Sequence, residues 1–480
     1  MRNEETETAT TSALDSAPPV PRSALVTPGG TRELVALAAP LVLSAGFLTA
    51  QLFLDRVFLT WTGNDASAAS MPAVMLFSTL FGVFQHTLQY ASVFVAQYIG
   101  AGRPERVGPV LWQAGRLAVV GGLLFLLLVP VAGPVFARLG HAEEVATLEA
   151  DYFRALCFAV LPSLVVAVVN AFYSGRGKTW TVFAVNLVGL AVNAPLAYGW
   201  ILGAWGFPKL GPAGAGYATA CGATASMLVG LGLVLRRRYE REFRTRSGWR
   251  LDVPLLKRLV RFGFPNGVAH LVDMIAWTAF VFLVGVMSKT EGAATNVAFT
   301  INLIAFLPLI GLGQAVEILV GRRQGEGKPH LSARTTRTGV ALALGYAVAI
   351  SVVYAVFPGL FTWLFGRGAE PGEWGEVEPV VRRLLLFVAL YTVGDAVNVV
   401  VSYALRGAGD TRFVAVVAVA LAWPLMVLPT YLAVRLGWGI DGAWWAASGY
   451  ILLLAVVFTL RFLGGRWRSM RVIEAKVTDE

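Results

Sequence analysis

Cysteine is nearly absent. The chain has two in 480 residues, Cys157 and Cys221. Both fall inside apolar runs, which excludes a disulfide framework and predicts buried free thiols. Charge is also short. Only 14% of residues are Asp, Glu, Lys or Arg, against roughly 25% in soluble domains, so an ordinary soluble globule is excluded. The four histidines lack metal-ligand spacing, and strand-period alternation of the kind a β-barrel needs is missing. The glycine turns SGRGKT and RGAGDT lack the lysine order of a phosphate-cradling loop and follow helices rather than strands, which argues against ATP as an energy source. No histidine or nucleophile constellation suggests an enzyme, and none of the start of the chain reads as a signal peptide, because the first apolar run begins late and is too long.

What the chain has is apolar length. Hydrophobic residues make up 56%, with mean hydropathy +0.65. About 20 apolar residues cross a hydrocarbon core ~30 Å thick, and the chain holds twelve such runs, at about 32–59, 71–99, 109–137, a fourth ending near Tyr173, 180–204, 214–235, 263–288, 294–320, 340–365, 380–405, 413–434 and 443–463. The predicted fold is an all-α integral membrane protein of two six-helix lobes. Residues 1–31, rich in Thr, Ser, Pro and Glu, read as a disordered tail. The lobes are expected at 32–235 and 263–464, joined by a basic linker at 236–262 and followed by a polar tail at 465–480. Arg103, Arg106, Arg176, Lys178, the cluster from Arg236 to Arg261, Arg322, Arg323, Lys328, Arg406 and Arg412 all fall in loops on one side. Lys and Arg mark the cytoplasmic side, so both termini are expected there, in a multi-pass protein of the cell membrane. The same asymmetry accounts for the net charge of +10 without nucleic acid.

The two halves repeat. VFVAQYIGAGRPE is matched by ILVGRRQGEGKPH, SGRGKT by RGAGDT, LGPAGAGYATA by WGIDGAWWAAS, and Pro40 by Pro265, all at offsets of roughly 225–232 residues. Four matches in one order imply lobes of the same hand related by an axis along the membrane normal, as in secondary transporters.

Acids interrupt the apolar runs. Asp395 lies near the middle of the tenth, with Asn398 one turn on along the same helix face. Asp55 and Asp273 sit in comparable runs. A carboxylate at that depth costs at least ~2.5 kcal/mol and marks a functional site by default. The plainer alternative is a packing acid bonded to a neighbouring helix, or for Asp55 an acid near the membrane interface. His270, one turn before Asp273, is a candidate for a proton relay, His86 has no evident partner, and Glu317 is expected to pair with Arg322 and Arg323 at the cytoplasmic rim. Among the aromatics, Tyr391, Trp277, Phe280 and Trp423 are candidates to line a site for flat cations, although most such rings simply pack.

AAPLVLSAGFLTAQLFLD, VAQYIGAG, SGRGKT, GFPNG and RGAGDT, taken in order, resemble the multidrug and toxic compound extrusion (MATE) family over nearly all of Arg32–Arg471. The resemblance implies an antiporter that expels organic, often cationic, compounds in exchange for inward H⁺ or Na⁺. Its partners would be small organic molecules and the bilayer, it would act as a monomer, and it would need no cofactor beyond the coupling ion. Asp55 matches the acid late in the family's first helix, Asp395 the acid in the tenth, and Asn193 an asparagine of the fifth. Asp273 falls where the sodium-linked branch has a glutamate, one methylene longer, and Asp273 with Asp395 is where Na⁺ would sit. Arg56 beside Asp55 departs from the family pattern. Adjacent helical residues point about 100° apart, so it is expected to face outward. The rival reading is a lipid-linked saccharide flippase of the same broader fold, which would call for a cationic cavity where this sequence offers acids.

Overall fold

A computed structural model of the chain describes residues 27–62, 64–138, 140–366 and 371–474. Among them there is no strand, and twelve helices are long and apolar enough to cross a membrane. They are α1 (Thr31–Thr60), α2 (Met71–Gly100), α3 (Pro104–Leu128), α4 (Glu143–Gly175), α5 (Thr179–Leu202), α6 (Pro212–Val234), α7 (Val253–Met287), α8 (Lys289–Gly325), α9 (Pro329–Val356), α10 (Gly372–Ala408), α11 (Thr411–Leu436) and α12 (Gly439–Leu463). Helices follow from the solvent: hydrocarbon offers no partner to a backbone N–H or C=O, so each segment must satisfy its own. Both cysteines are free thiols.

Helix ends depart from the hydropathy reading where proline or capping decides them. The third run stops at Leu128, just before Pro130, and resumes as a short helix, Ala132–Ala137. The ninth breaks between Val356 and Pro358, where a second short helix, Pro358–Gly366, begins, because a residue preceding proline is pushed out of the α region. Conversely, α7 starts at Val253, well before the expected Gly263, because the Asp252 carboxylate caps it by accepting from Leu255 N–H at 3.0 Å. Within α11, Trp423–Val427 forms a π-helical turn around Pro424, which absorbs the missing proline donor. Of the stretch expected to be disordered, residues 1–26 lie outside the described residues. Residues 27–30 form a turn in which Gly29 N–H donates to Glu33 Oε2 at 2.6 Å and Gly29 O accepts from Thr338 at 2.8 Å.

Buried apolar side chains fall into two clusters, one for α1–α6 and one for α7–α12. The exceptions are informative. Leu34 and Ala38, at the start of α1, belong to the second cluster, and Leu255 and Leu259, at the start of α7, belong to the first. The two lobes therefore exchange the first turns of their leading helices, and Leu34 and Leu259 stand at the repeat spacing. Glycines obey the same symmetry. A Cβ at Gly100 would strike the carbonyl of Arg322, and one at Gly325 the carbonyl of Gln97. Within the lobes, Gly175 lies against Ser92 O and Gly407 against Glu317 O. Gly102 and Gly327 take left-handed φ of 69° and 70° at the matching turns, a conformation that favours glycine. The sequence repeat is thus a structural repeat.

These contacts seal one face. Every hydrogen bond between the lobes among the described residues lies on the face that carries the termini. Tyr90 OH donates to Arg406 O at 2.8 Å, Gln97 Nε2 to Gly407 O at 3.1 Å, and Arg323 to Glu33 Oε1 at 2.9 Å. Further along, α7 rests on α2 through Gly263 and Gly267, which meet the carbonyls of Thr87 and Val83. Valine at Gly100 or Gly325 should destabilise the protein by about 1–3 kcal/mol through overpacking against backbone that has no room to yield, read as a lower Tm in detergent. Gly115→Ala, with nothing within 4 Å of its added methyl, should leave the Tm unchanged.

Candidate functional site

The five candidate residues separate into two sites, one per lobe. In the first lobe Asp55 is 4% exposed and Asn193 fully buried. Gln51, one turn before Asp55 on the same face of α1, donates to Thr219 Oγ1 of α6 at 3.0 Å, and Asn193 of α5 donates to the same oxygen at 3.4 Å. Asp55 Oδ1 and Asn193 Oδ1 are buried without a hydrogen-bond partner among the described residues. Nearby, Asn170 donates to Asn186 Oδ1 at 3.2 Å and Asn186 to Ser44 Oγ at 2.5 Å. The lobe therefore encloses two hydrogen-bonded polar groups, one beginning a turn from Asp55 and the other two to three turns further along α1 and α5. Arg56 faces outward, exposed, with its guanidinium against Met71 Sδ at 3.2 Å, so it does not neutralise Asp55.

In the second lobe Asp395 is 9% exposed and Asp273 half-buried. Asn398 Nδ2 donates to Asp395 Oδ1 at 2.9 Å, and Tyr450 OH of α12 donates to Asp273 Oδ1 at 3.3 Å. Tyr450 also lies in the field of Asp395, and the two carboxylates act on each other electrostatically. The Tyr391 hydroxyl, one turn from Asp395, is buried with no hydrogen-bond partner among the described residues. Beside this pair stands an aromatic wall in which Trp444 stacks on Tyr391 and meets Phe280 and Phe299, with Trp277 packed behind. Phe280 is core rather than lining. Trp423 is elsewhere, 44% exposed in an apolar groove with Phe282, Leu283 and Tyr431 on the outer flank of the lobe.

None of Asp55, Asp273 and Asp395 has a Lys or Arg ion pair among the described residues. An ionised carboxylate taken out of water without a counter-charge costs several kcal/mol. Each site is satisfied by adding a proton or a cation. Amide, hydroxyl and carboxylate oxygens form a hard donor set, which suits H⁺ or an alkali cation rather than a transition metal.

Between the two sites, at the seam, the structure places groups the sequence left apart. His270 enters a notch at Gly82, and its ring lies 4.0 Å from that of His86, centroid to centroid. His86 thus has a partner from the opposite lobe, while His270 makes no hydrogen bond to Asp273 among the described residues. Glu317 does not pair with Arg322 or Arg323. Those arginines engage Glu326, and Arg323 also holds Glu33. Five and six residues along a helix point to other faces, and Glu317 instead faces the field of Arg406. Gln51, Thr219 and Tyr450 were missed. Gln51 was findable from its one-turn spacing to Asp55, the other two only from contacts between helices distant in sequence.

Two repeated six-helix lobes, each holding an uncompensated acid and sealed against each other on one face, define a polytopic membrane transporter. The model of the family described as MatE matches residues 40–199 and 265–432, one stretch in each lobe, and the chain belongs to that family. It is 28% identical over 447 residues to the "Multidrug resistance protein NorM" of Burkholderia vietnamiensis, covering 92% of this chain and 96% of the relative. It is 29% identical over 429 residues to the "Probable multidrug resistance protein NorM" of Burkholderia mallei, covering 89% and 91%. Among solved structures its fold resembles an outward-facing multidrug resistance MATE family transporter of the MOP superfamily, with TM-score 0.82, 19% identity and coverage of 91% and 95%. It also resembles the eukaryotic MATE transporter AtDTX14, with TM-score 0.77, 17% identity and coverage of 91% and 96%.

Because the Tyr450 hydroxyl donates to Asp273, Tyr450→Phe, Asp273→Asn and the double variant should show a coupling of about 0.5–3 kcal/mol in a thermal-unfolding cycle. Strict additivity would mean that the hydroxyl and the carboxyl do not meet.

Proposed function

We propose that the protein is a secondary antiporter that exports organic, often cationic, compounds in exchange for inward H⁺ or Na⁺, with Asp395 and Asp273 as the shared binding acids and Asp55, with Asn193, as a second cation seat. The observation that carries this reading is the Asp273–Asp395 pair, withdrawn from water beside aromatic faces with no ion pair to either acid among the described residues. Such acids attract a cation of either kind, and loading one removes the attraction for the other. The names of the NorM relatives support a drug as cargo. The carboxyl, amide and hydroxyl oxygens around Asp55 support a separate place for the small cation, so that ion and cargo need not compete for one pocket alone. Positive loops put both termini in the cytoplasm, which makes the sealed face cytoplasmic and the conformation outward-facing. Alternating access then requires the seam at Gly100 and Gly325 to part. The electrical share of the driving force is ~2.3 kcal/mol per charge per 100 mV. A saccharide flippase is the weaker alternative, since acids rather than cations line both lobe interiors. The protein is proposed to work as a monomer, each copy holding both sites.

In proteoliposomes, Asp395→Asn should abolish gradient-driven dye extrusion while the protein remains folded and monodisperse. Full extrusion by that variant removes Asp395 from the mechanism. Imposing an inward Na⁺ gradient and an inward H⁺ gradient separately on the unmodified protein identifies the coupling ion.

A further inference from the structure

After α12 the chain does not leave the molecule. It turns back beneath the seam, and its side chains divide between the lobes. Trp467 is 1% exposed and belongs to the second lobe's core. Val472 and Ile473, at 1% and 7%, belong to the first lobe's core. The Trp467 carbonyl accepts from Gln324 Nε2 of α8 at 2.7 Å, which fixes the base of the segment to the second lobe. Its tip is fixed to the first, where Val472 N–H donates to Gln97 Oε1 of α2 at 2.9 Å.

Glu474 completes the crossing. Its carboxylate accepts from Tyr98 OH at 2.7 Å and Arg103 at 2.7 Å, lies 3.4 Å from Arg106 Nε, and accepts from Arg258 at 2.5 Å. Tyr98, Arg103 and Arg106 belong to α2 and the turn and helix that follow it. Arg258 belongs to α7. One carboxylate thus holds together three guanidiniums, from the turn after α2, the start of α3 and the start of α7, where Leu255 and Leu259 also pack on the first lobe, and no other carboxylate among the described residues reaches all three. Burial alone would push the Glu474 carboxyl up. The Tyr98 hydroxyl and the Arg106 and Arg103 charges outweigh it and hold the group below the usual carboxylate range, so it is ionised at neutral pH.

We propose that Arg466–Glu474 is a strap across the cytoplasmic seam, with Glu474 as its bolt, and that it must release before the transporter can open inward. Opening draws Gln97 and Tyr98 away from α8. While the base stays on Gln324, the tip must leave the first lobe, which exposes Val472 and Ile473 to water, takes from Arg103 and Arg258 the carboxylate they share, and leaves Arg106 with Asp252 alone. The strap therefore weights the equilibrium toward the outward-facing state and sets how readily the empty carrier returns. This rests on the alternating-access reading above, but the test does not require transport.

Ala96 is fully buried on α2, 3.6 Å from the place a Cβ would take at Gly321 of α8, so it is reached from the cytoplasm only when the seam parts. In inside-out vesicles, Ala96→Cys in a Cys157→Ala/Cys221→Ala background is treated with a membrane-impermeant maleimide. Labelling tracks the open population. Adding Glu474→Ala should accelerate labelling about threefold to tenfold, and Arg258→Ala by less. A cysteine at Ala155, buried within the first lobe against Gly216, should label at the same slow rate in all backgrounds. Equal rates at Ala96→Cys with and without Glu474 overturn the proposal, as does parallel acceleration at Ala155→Cys, which would mean that the whole fold had loosened. If the unmodified protein extrudes nothing under either gradient, the antiport reading falls, and the labelling still decides the strap.

Discussion

The contact on which the structure depends is the crossing of α2 and α8 at backbone distance. In a bilayer there is little hydrophobic force to press helices together, so close van der Waals packing through small residues carries the association. Gly100 admits the carbonyl of Arg322 and Gly325 that of Gln97, each the other's image in the internal repeat. Once these backbones touch, α1 and α7 have room only to cross into the opposite lobe at their first turns, which is where Leu34 and Leu259 are found. The polar contacts between lobes are consequences of that crossing and gather at the same face.

Sealing one face sets the condition for the acids. Asp273 and Asp395 are held by hydrogen-bond donors of neutral type, Tyr450 and Asn398, and none of the three acids is in an ion pair with Lys or Arg among the described residues. A structural ion pair would remove the cost of burial and also remove the reason to bind anything. Neutral donors orient the carboxyl groups without cancelling them. Three guanidiniums, of Arg103, Arg106 and Arg258, are instead committed to Glu474.

Most of the architecture was readable from apolar run length and from glycine turns at a constant offset, because both are local properties that the bilayer enforces. The buried acids were readable for the same reason: an Asp in an apolar run is conspicuous. What stayed hidden depended on contacts between distant segments. Thr219 and Tyr450 are unremarkable in their own helices and acquire meaning only through Gln51, Asn193 and Asp273. The expected pairing of Glu317 with Arg322 and Arg323 failed because proximity in sequence is not proximity on a helix surface. The start of α7 was hidden because Lys257, Arg258 and Arg261 lower the hydropathy of a segment that is nonetheless helical beyond the membrane. The tail looked merely polar and basic, yet Trp467, Val472 and Ile473 are core residues, a fact that no window over a short segment could reveal.

The two acid sites lie in different lobes, yet any exchange must be felt at the seam between them. The structure contains a physical path for this that needs no long-range wire. α7 carries Arg258 at the bolt, Gly263 and Gly267 on α2, His270 against His86, and Asp273 at Tyr450, all along one continuous helix. α10 similarly joins Asp395 to Arg406 and Gly407, whose carbonyls accept from Tyr90 and Gln97. The Asp273–Asp395 pair and the seam thus lie on the same two helices. In the proposed cycle, occupancy at the acids and separation at the glycine crossing are therefore two readings of the same helix positions, and the strap adds a fixed weight on the closed side of that balance.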